Sequence, residues 1–332
     1  MNKTIDLCGI GNGLVDIQIE VDEKFIEQFS LNKGEMRLID SENQQKIIEI
    51  LKDFKIHKSS GGSAANTIIT FAKFGGNAAY ITSLGDDELG EFYSNEFKEL
   101  NIELSAQKLY QQFTGTCLIL ITPDSERTML TALGASAYLK PENIEERLIK
   151  NSKWIYIEGY EFTQKNSRDA IFTAIDMAKY YHTQISLTFS DVFIVENFRK
   201  DIIEATNKAD LIFCNEKEAM KFSQIDDLNK VINFFELNTN NFVITKGKDG
   251  SIVKWQQNYY NIKAYPAIAK DTTGAGDTFA GAFLYGLIHK NSPILAGNLA
   301  SYTSAKVVEQ LGARLNYNFN IIKNKIFVDN YE

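Results

Sequence analysis

The segment Asp271-Thr272-Thr273-Gly274-Ala275-Gly276-Asp277-Thr278-Phe279-Ala280-Gly281-Ala282-Phe283 carries more information than any other stretch of the chain. Two glycines separated by alanine lead straight into a long apolar run, the pattern of a turn opening into a buried helix. The first N–H groups of such a helix have no intrahelical partner, and the local dipole favours negative charge. A phosphate fits there without a lysine. Ala280, Gly281 and Ala282 let the helix approach its neighbours closely. Asp277 falls on the first turn, beside the anion position, where its location predicts a low pKa. Its use would be to accept the proton of an attacking hydroxyl and aim that oxygen at phosphorus. An ordinary loop-to-helix turn, with Asp277 stabilising the first turn, accounts for the same letters. The segment is not a P-loop, because Gly276 is followed by Asp277 and the motif lies near the C-terminus. Nor is Gly11-Asn12-Gly13 a dinucleotide fingerprint, lacking a third spaced glycine and an immediate helix.

Upstream, strand and helix patterns alternate. Ile5–Ile10 reads as a strand, and Leu14–Val21 as a second with Val15, Ile17 and Ile19 on one face and Asp16, Gln18 and Glu20 on the other. Gly34–Asp40 can add a short strand and Gln44–Leu51 a helix. Ser63 is a candidate N-cap for an apolar helix that Gly75-Gly76 ends, with Asn66 able to complete a weak capping box. A strand over Ala78–Thr82 and an amphipathic helix over Asp87–Leu100 follow. Leu109–Thr122 reads as sheet, and Trp154–Ile157, Gln184–Thr188, Leu211–Cys214 and Phe242–Thr245 as strands. Helical patterns at Ser167–Tyr180 and Lys217–Phe222 separate some of them. Stacked βαβ units of this kind predict an α/β fold with a mostly parallel sheet covered on both faces. The helix-poor segments 13–40 and 109–130 are expected to form a small β lid, leaving 1–12, 41–108 and 131–332 as the α/β core. Asn316–Glu332 reads as an edge strand or a loose end.

The composition agrees with a soluble globular protein. The chain has 332 residues, 44% of them hydrophobic and 23% charged, which suffices for a substantial core. A net charge of −8 without a long basic run argues against nucleic acid or an anionic membrane as main partner. Cys8, Cys117 and Cys214 have no Cys-x-x-Cys spacing, and no segment approaches a membrane span or signal peptide, so a cytoplasmic protein with reduced thiols is expected. His57, His182 and His289 form no ligand spacing, which disfavours a zinc enzyme.

With these residues in view, the chain resembles the ribokinase-like (PfkB) family of carbohydrate and nucleoside kinases. The Asp271–Gly281 segment is similar to the family's C-terminal signature. Gly61-Gly62-Ser63-Ala64-Ala65-Asn66, running on to Gly85-Asp86-Asp87-Glu88-Leu89-Gly90, is similar to its other signature. The resemblance implies a ribokinase-like core of about nine strands with a small β lid, an anion hole over Gly274, Ala275 and Gly276, and Asp277 as catalytic base. It implies acceptor binding by Asp16, Gly62 and Asn66, and nucleotide binding by Thr245, Gly247 and Asn298. It further implies Mg²⁺ organised by Asn215 and Glu218, directly or through water, and a K⁺ site using backbone groups near Asp271 and Thr273. Asp16 can accept from two neighbouring hydroxyls of one ribose, although an Asp on a wet strand face needs no ligand to explain it.

Asp191 and Glu158 are further strand-end acids with either a supporting or a structural reading. Met36 and Arg127 lie in the expected lid, as an apolar wall and as a phosphate or interface contact. The apolar lid segments resemble the adenosine-kinase-like branch, implying ATP-dependent phosphorylation of the 5′-hydroxyl of adenosine or a related nucleoside. Alternatives are a sugar kinase of the same family and a non-catalytic nucleotide- or sugar-binding regulator. The implied partners are small molecules, with a monomer or a homodimer formed through the lid.

Overall fold

The computed structural model describes residues 3–124 and 126–328. Its larger sheet joins β1 (Ile5–Ile10), β5 (Ala78–Gly85), β6 (Glu103–Leu109), β9 (Ser152–Glu158), β10 (Gln184–Thr188), β11 (Leu211–Asn215), β12 (Phe242–Thr245), β13 (Ser251–Trp255) and β14 (Asn258–Ile262). The order is β14-β13-β12-β11-β10-β9-β1-β5-β6, parallel except where β13 meets its two neighbours. Every residue of β1 and β5 is buried, as a sheet covered on both faces requires. Alternate side chains feed two cores. Leu7, Tyr80, Tyr156 and Phe213 pack with Phe283 of the Ala275–Lys290 helix. Cys8, Ile10, Ile81, Ile155 and Ile157 pack on the other face with the Lys165–Tyr180 helix.

A smaller sheet comprises β2 (Leu14–Glu20), β3 (Met36–Leu38), β4 (Ile56–Gly61), β7 (Gly115–Ile121) and β8 (Arg127–Ala132), in the order β3-β8-β7-β2-β4. The chain enters it twice, first for β2 to β4 and again for β7 and β8, and β2 lies parallel to β7 across the two visits. One face, with Ile17, Ile19, Leu118, Leu120 and Leu130, joins the large core together with Phe25, Ile26 and Ile47. The other carries Cys117, Ile119, Ile121 and Met129 as a small separate cluster.

Several expectations differ from this architecture. β4 belongs to the small sheet although 41–108 was expected in the core. Its polar sequence, Ile-His-Lys-Ser-Ser-Gly, hides the strand because it is an edge with half-exposed side chains. The Ser41–Ile50 helix also serves the small sheet, with Gln44 Nε2 donating to the carbonyls of Thr116 and Leu130. Leu109–Thr122 is not one sheet segment, since β6 edges the core and β7 belongs to the lid. Phe319–Phe327 is a helix rather than an edge strand, held by the buried Phe319, Ile322 and Ile326, and residues 329–332 lie outside the described residues. All three cysteines are free and buried, and among the described residues no helix is long and apolar enough to cross a membrane.

Candidate active site

Two cavities meet at the start of the Ala275–Lys290 helix. One, of about 450 Å³, lies between the two sheets and is lined by Asp16, Asn66, Glu218, Asp277 and the apolar lid side chains Met36, Leu38, Ile119 and Met129. The second, of about 570 Å³, is bounded by Gly247, Tyr265, Ser301, Ser304 and Ala305. Thr245, Gly276 and Phe279 line both.

The turn between the cavities is built by backbone geometry. Gly274 adopts φ +70°, and a Cβ there would lie 2.6 Å from that of Ala313, so only glycine makes this entry. Ala275 N–H donates to Thr272 O at 3.2 Å and Thr278 N–H to Gly274 O at 2.8 Å. Ala275 is therefore engaged, contrary to its expected place among the anion-binding amides. Those of Gly276 and Asp277 remain at the helix start, where negative charge is favoured.

Asp277 is held from the neighbouring Ser63–Lys73 helix. Ser63 Oγ donates to its Oδ1 at 2.7 Å, Asn66 Nδ2 to its Oδ2 at 3.2 Å, and Thr67 Oγ1 to its carbonyl at 3.2 Å. The N-cap is Gly62, with φ +102°, not Ser63, whose hydroxyl is used on Asp277 instead, and Asn66 makes no capping box. Asn66 Oδ1 is buried without a partner among the described residues. The low pKa expected for Asp277 is also overturned. Burial pushes it up to about 6, against the two side-chain hydrogen bonds that pull it down.

Asp16 is 9% exposed at the mouth of β2. Burial raises it to about 7, opposed first by Arg314 and then by Arg127, and reinforced by Asp277 and Glu96. Glu158, fully buried at the end of β9, accepts from Asn12 N–H (2.8 Å), Asn12 Nδ2 (2.6 Å) and Ala64 N–H (2.6 Å). It ties the β1–β2 turn to the helix that grips Asp277, and burial raises it to about 7. Asn215 and Glu218 form a reciprocal cap on the Glu216–Ser223 helix, and burial raises Glu218 to about 7, with Asp191 and Asp277 adding to the effect. Among the described residues no three His, Cys, Asp or Glu side chains are grouped to hold a metal ion. The oxygens of Asn215, Glu218 and Asp191 in the cleft fit a hard cation reached through water and ligand phosphates.

Asp271 is not available as a potassium ligand through its carboxylate. Oδ1 accepts from Thr273 N–H at 3.0 Å, Oδ2 from Gly312 N–H at 2.7 Å, and Arg127 Nη1 lies 3.0 Å from Oδ2 in a buried ion pair. A fixed guanidinium at that carboxylate opposes a second cation. Arg127 thus joins the lid to the core. Asn298 lines neither cavity, whereas Ser301, Ser304 and Ala305 of its helix line the second. The sequence reading missed Arg314 and Glu96 altogether, because nothing in their local spacing marks them.

Comparison with known proteins agrees with this geometry. Residues 35–319 match the family model "pfkB family carbohydrate kinase". The chain therefore belongs to the pfkB family, whose members are phosphotransferases with alcohol acceptors. It is 26% identical to an adenosine kinase of Saccharomyces cerevisiae over 93% of this chain and 96% of that one. Its fold superposes on an adenosine kinase from Sinorhizobium meliloti with a TM-score of 0.88 at 28% identity, covering 97% and 99% of the two chains. A probable sugar kinase from Rhizobium etli gives 0.89 at 28% identity, covering 98% and 99%. The similarity is to the adenosine-kinase-like branch.

Proposed function

We propose that the protein transfers the γ-phosphoryl group of ATP to the 5′-hydroxyl of adenosine or a related nucleoside. The observation that carries this reading is the position of Gly276 and its neighbouring amides between two cavities, with Asp277 on the wall of only one. That arrangement suits a phosphoryl group passing from a donor in the cavity of Gly247, Thr245 and Ser301 to an acceptor beside Asp16 and Asn66. Asp277 receives the hydroxyl proton and aims the oxygen, while the Gly276 and Asp277 N–H groups hold charge on the group in transfer. Asp16 accepts from the sugar hydroxyls, and the unpartnered Asn66 Oδ1 accepts from another donor. Asn215 and Glu218 would hold Mg²⁺ through water, and the ion would supply positive charge against that of the donor phosphates.

The nucleoside preference is supported by the apolar lid wall of Met36, Leu38, Ile119 and Met129, which offers a slot for a flat base opposite polar sugar contacts. A sugar acceptor is the second reading, favoured by the similarity to the R. etli probable sugar kinase. A non-catalytic binder would leave the three-point grip on Asp277 without a use. Product formation with adenosine, inosine, ribose and fructose, with the phosphorylated position determined, decides among them. Saturable turnover of free sugars alone would overturn the nucleoside reading, and binding without product from any acceptor would overturn the kinase assignment.

A further inference from the structure

The loop after the Pro293–Val307 helix is tied to both sides of the site. Gly312 N–H donates to Asp271, and Ala313 packs on Gly274 and lines the acceptor cavity. Arg314 turns the other way. Its Nη1 contacts Glu96 Oε1 and its Nη2 donates to Ser60 Oγ, while Glu96 Oε2 accepts Ser60 N–H at 2.7 Å. Ser60 is therefore gripped at backbone and hydroxyl by one ion pair, whose side chains are 15% and 24% exposed. In the β2–β4 ladder Ser60 faces Val15 and Ser59 faces Asp16. A Cβ on Gly61 would lie 2.4–2.5 Å from the Asp16 carboxylate atoms, so that carboxylate rests against the backbone immediately beyond Ser60.

We infer that Arg314 is a positioning residue for acceptor recognition: with Glu96 it fixes the β4 end on which Asp16 rests, and its charge keeps Asp16 an acceptor of hydroxyl bonds. The groups facing Asp16 are Arg314 from the C-terminal loop, Arg127 from β8, Asp277 from the Ala275–Lys290 helix, Glu96 and Tyr93 from the Glu88–Glu99 helix, and Cys117 from β7. Arg314 is the foremost of the two cations that oppose the effect of burial. The inference rests on Asp16 binding the acceptor, whichever acceptor that is.

Acceptor KM, ATP KM and the pH profile of kcat/KM for the acceptor are measured for wild type, Arg314→Gln, Arg314→Lys and Glu96→Gln. Acceptor Kd is measured by calorimetry for wild type, Arg314→Gln, Asp16→Asn and the double variant. Arg314→Gln should raise acceptor KM at least about tenfold, hold ATP KM within about twofold, and move the acid limb to higher pH, because Asp16 loses an opposing cation. Arg314→Lys should recover part of both effects. Glu96→Gln should move the acid limb the other way, since it removes a negative charge facing Asp16. In the Asp16→Asn background Arg314→Gln should add less than about twofold to Kd.

An acceptor KM within twofold of wild type, an unmoved acid limb, or effects of Arg314→Gln and Asp16→Asn that multiply in full would each overturn the inference. If Arg314→Gln fails to fold, Glu96→Gln decides by the direction of its limb. Running wild type first on the acceptor panel separates the two ideas. If only a sugar turns over, the nucleoside reading fails and the Arg314 measurements proceed with that sugar.

Discussion

The two sheets solve the same packing problem in different ways. In the large sheet β1 and β5 are buried along their whole length between two apolar cores. The small sheet covers one face in the same manner but leaves Cys117, Ile119, Ile121 and Met129 as a cluster of their own, with Ile119 and Met129 on the cavity that Asp16 and Asp277 line. Polar contacts then fix it to the core: Arg127 with Asp271, Arg314 with Ser60, and Asp87, which accepts both Thr114 N–H and Thr114 Oγ1–H. Apolar burial is non-directional, whereas ion pairs and hydrogen bonds fix a geometry. The core supplies stability, and the polar pins set where the lid stands over the site.

The largest expected effect tests the point where the two meet. Asp277→Asn should lower turnover about 10²- to 10⁴-fold. Its melting temperature should not fall, because the change removes a buried acid held away from ionisation. A variant within a few-fold of wild-type turnover would remove Asp277 from the chemistry. Next comes the contrast in burial. Phe283→Ala in the large core should cost about 3–5 kcal/mol in denaturant unfolding. Ile119→Ala in the lid should cost about 2 kcal/mol, the low end for such a truncation, and show itself mainly as a raised acceptor KM. Equal losses of stability, with KM unchanged, would erase the distinction between the sheets. Arg127→Met tests a pin directly. It leaves the 3%-exposed Asp271 carboxylate with its two backbone N–H donors but no countercharge and should cost about 3 kcal/mol, the low end for half of a buried pair.

A smaller effect follows from charge. Asp16, Glu158 and Glu218 are held up to about 7 and Asp277 up to about 6, so the folded protein binds their protons more tightly than the unfolded chain does. Their contribution to stability is full below the ordinary carboxylate range and is lost as pH rises through 6–7. The ligand-free melting temperature should therefore fall between about pH 5 and 8 while turnover rises, and Glu158→Gln should flatten that fall. A melting temperature that climbs over this interval would contradict the assignment. The smallest effect concerns cations. Replacing Na⁺ by K⁺ should change the rate less than about twofold, since Arg127 already neutralises Asp271. Several-fold stimulation would place a potassium site on backbone groups near Asp271 and Thr273 or at other ligands.

Six core strands, β1, β5, β9, β10, β11 and β12, were readable because covered parallel strands are apolar, whereas the half-exposed β6 and β14 and the antiparallel β13 were not. Gly274 was readable because its φ of +70° favours glycine. Asp277 was legible from its place on the first turn of the helix, but its raised pKa was not, because burial by distant segments outweighs the local dipole. β4 escaped because an edge strand needs no apolar alternation. Ser63 was assigned to a cap because the residue that uses its hydroxyl, Asp277, lies 214 positions away. Arg314 and Glu96 escaped for the same reason, with partners separated by 218 positions and no local pattern to mark either one.

The two visits of the chain to the small sheet have a consequence for synthesis. β2 finds its parallel neighbour β7 only after about a hundred further residues have been made. On the ribosome, the β2 backbone edge beside Ile17 and Ile19 that pairs with β7 would emerge long before that partner exists. A translational pause placed between the two visits should therefore prolong its exposure and engage chaperones, whereas one placed after β8 should not.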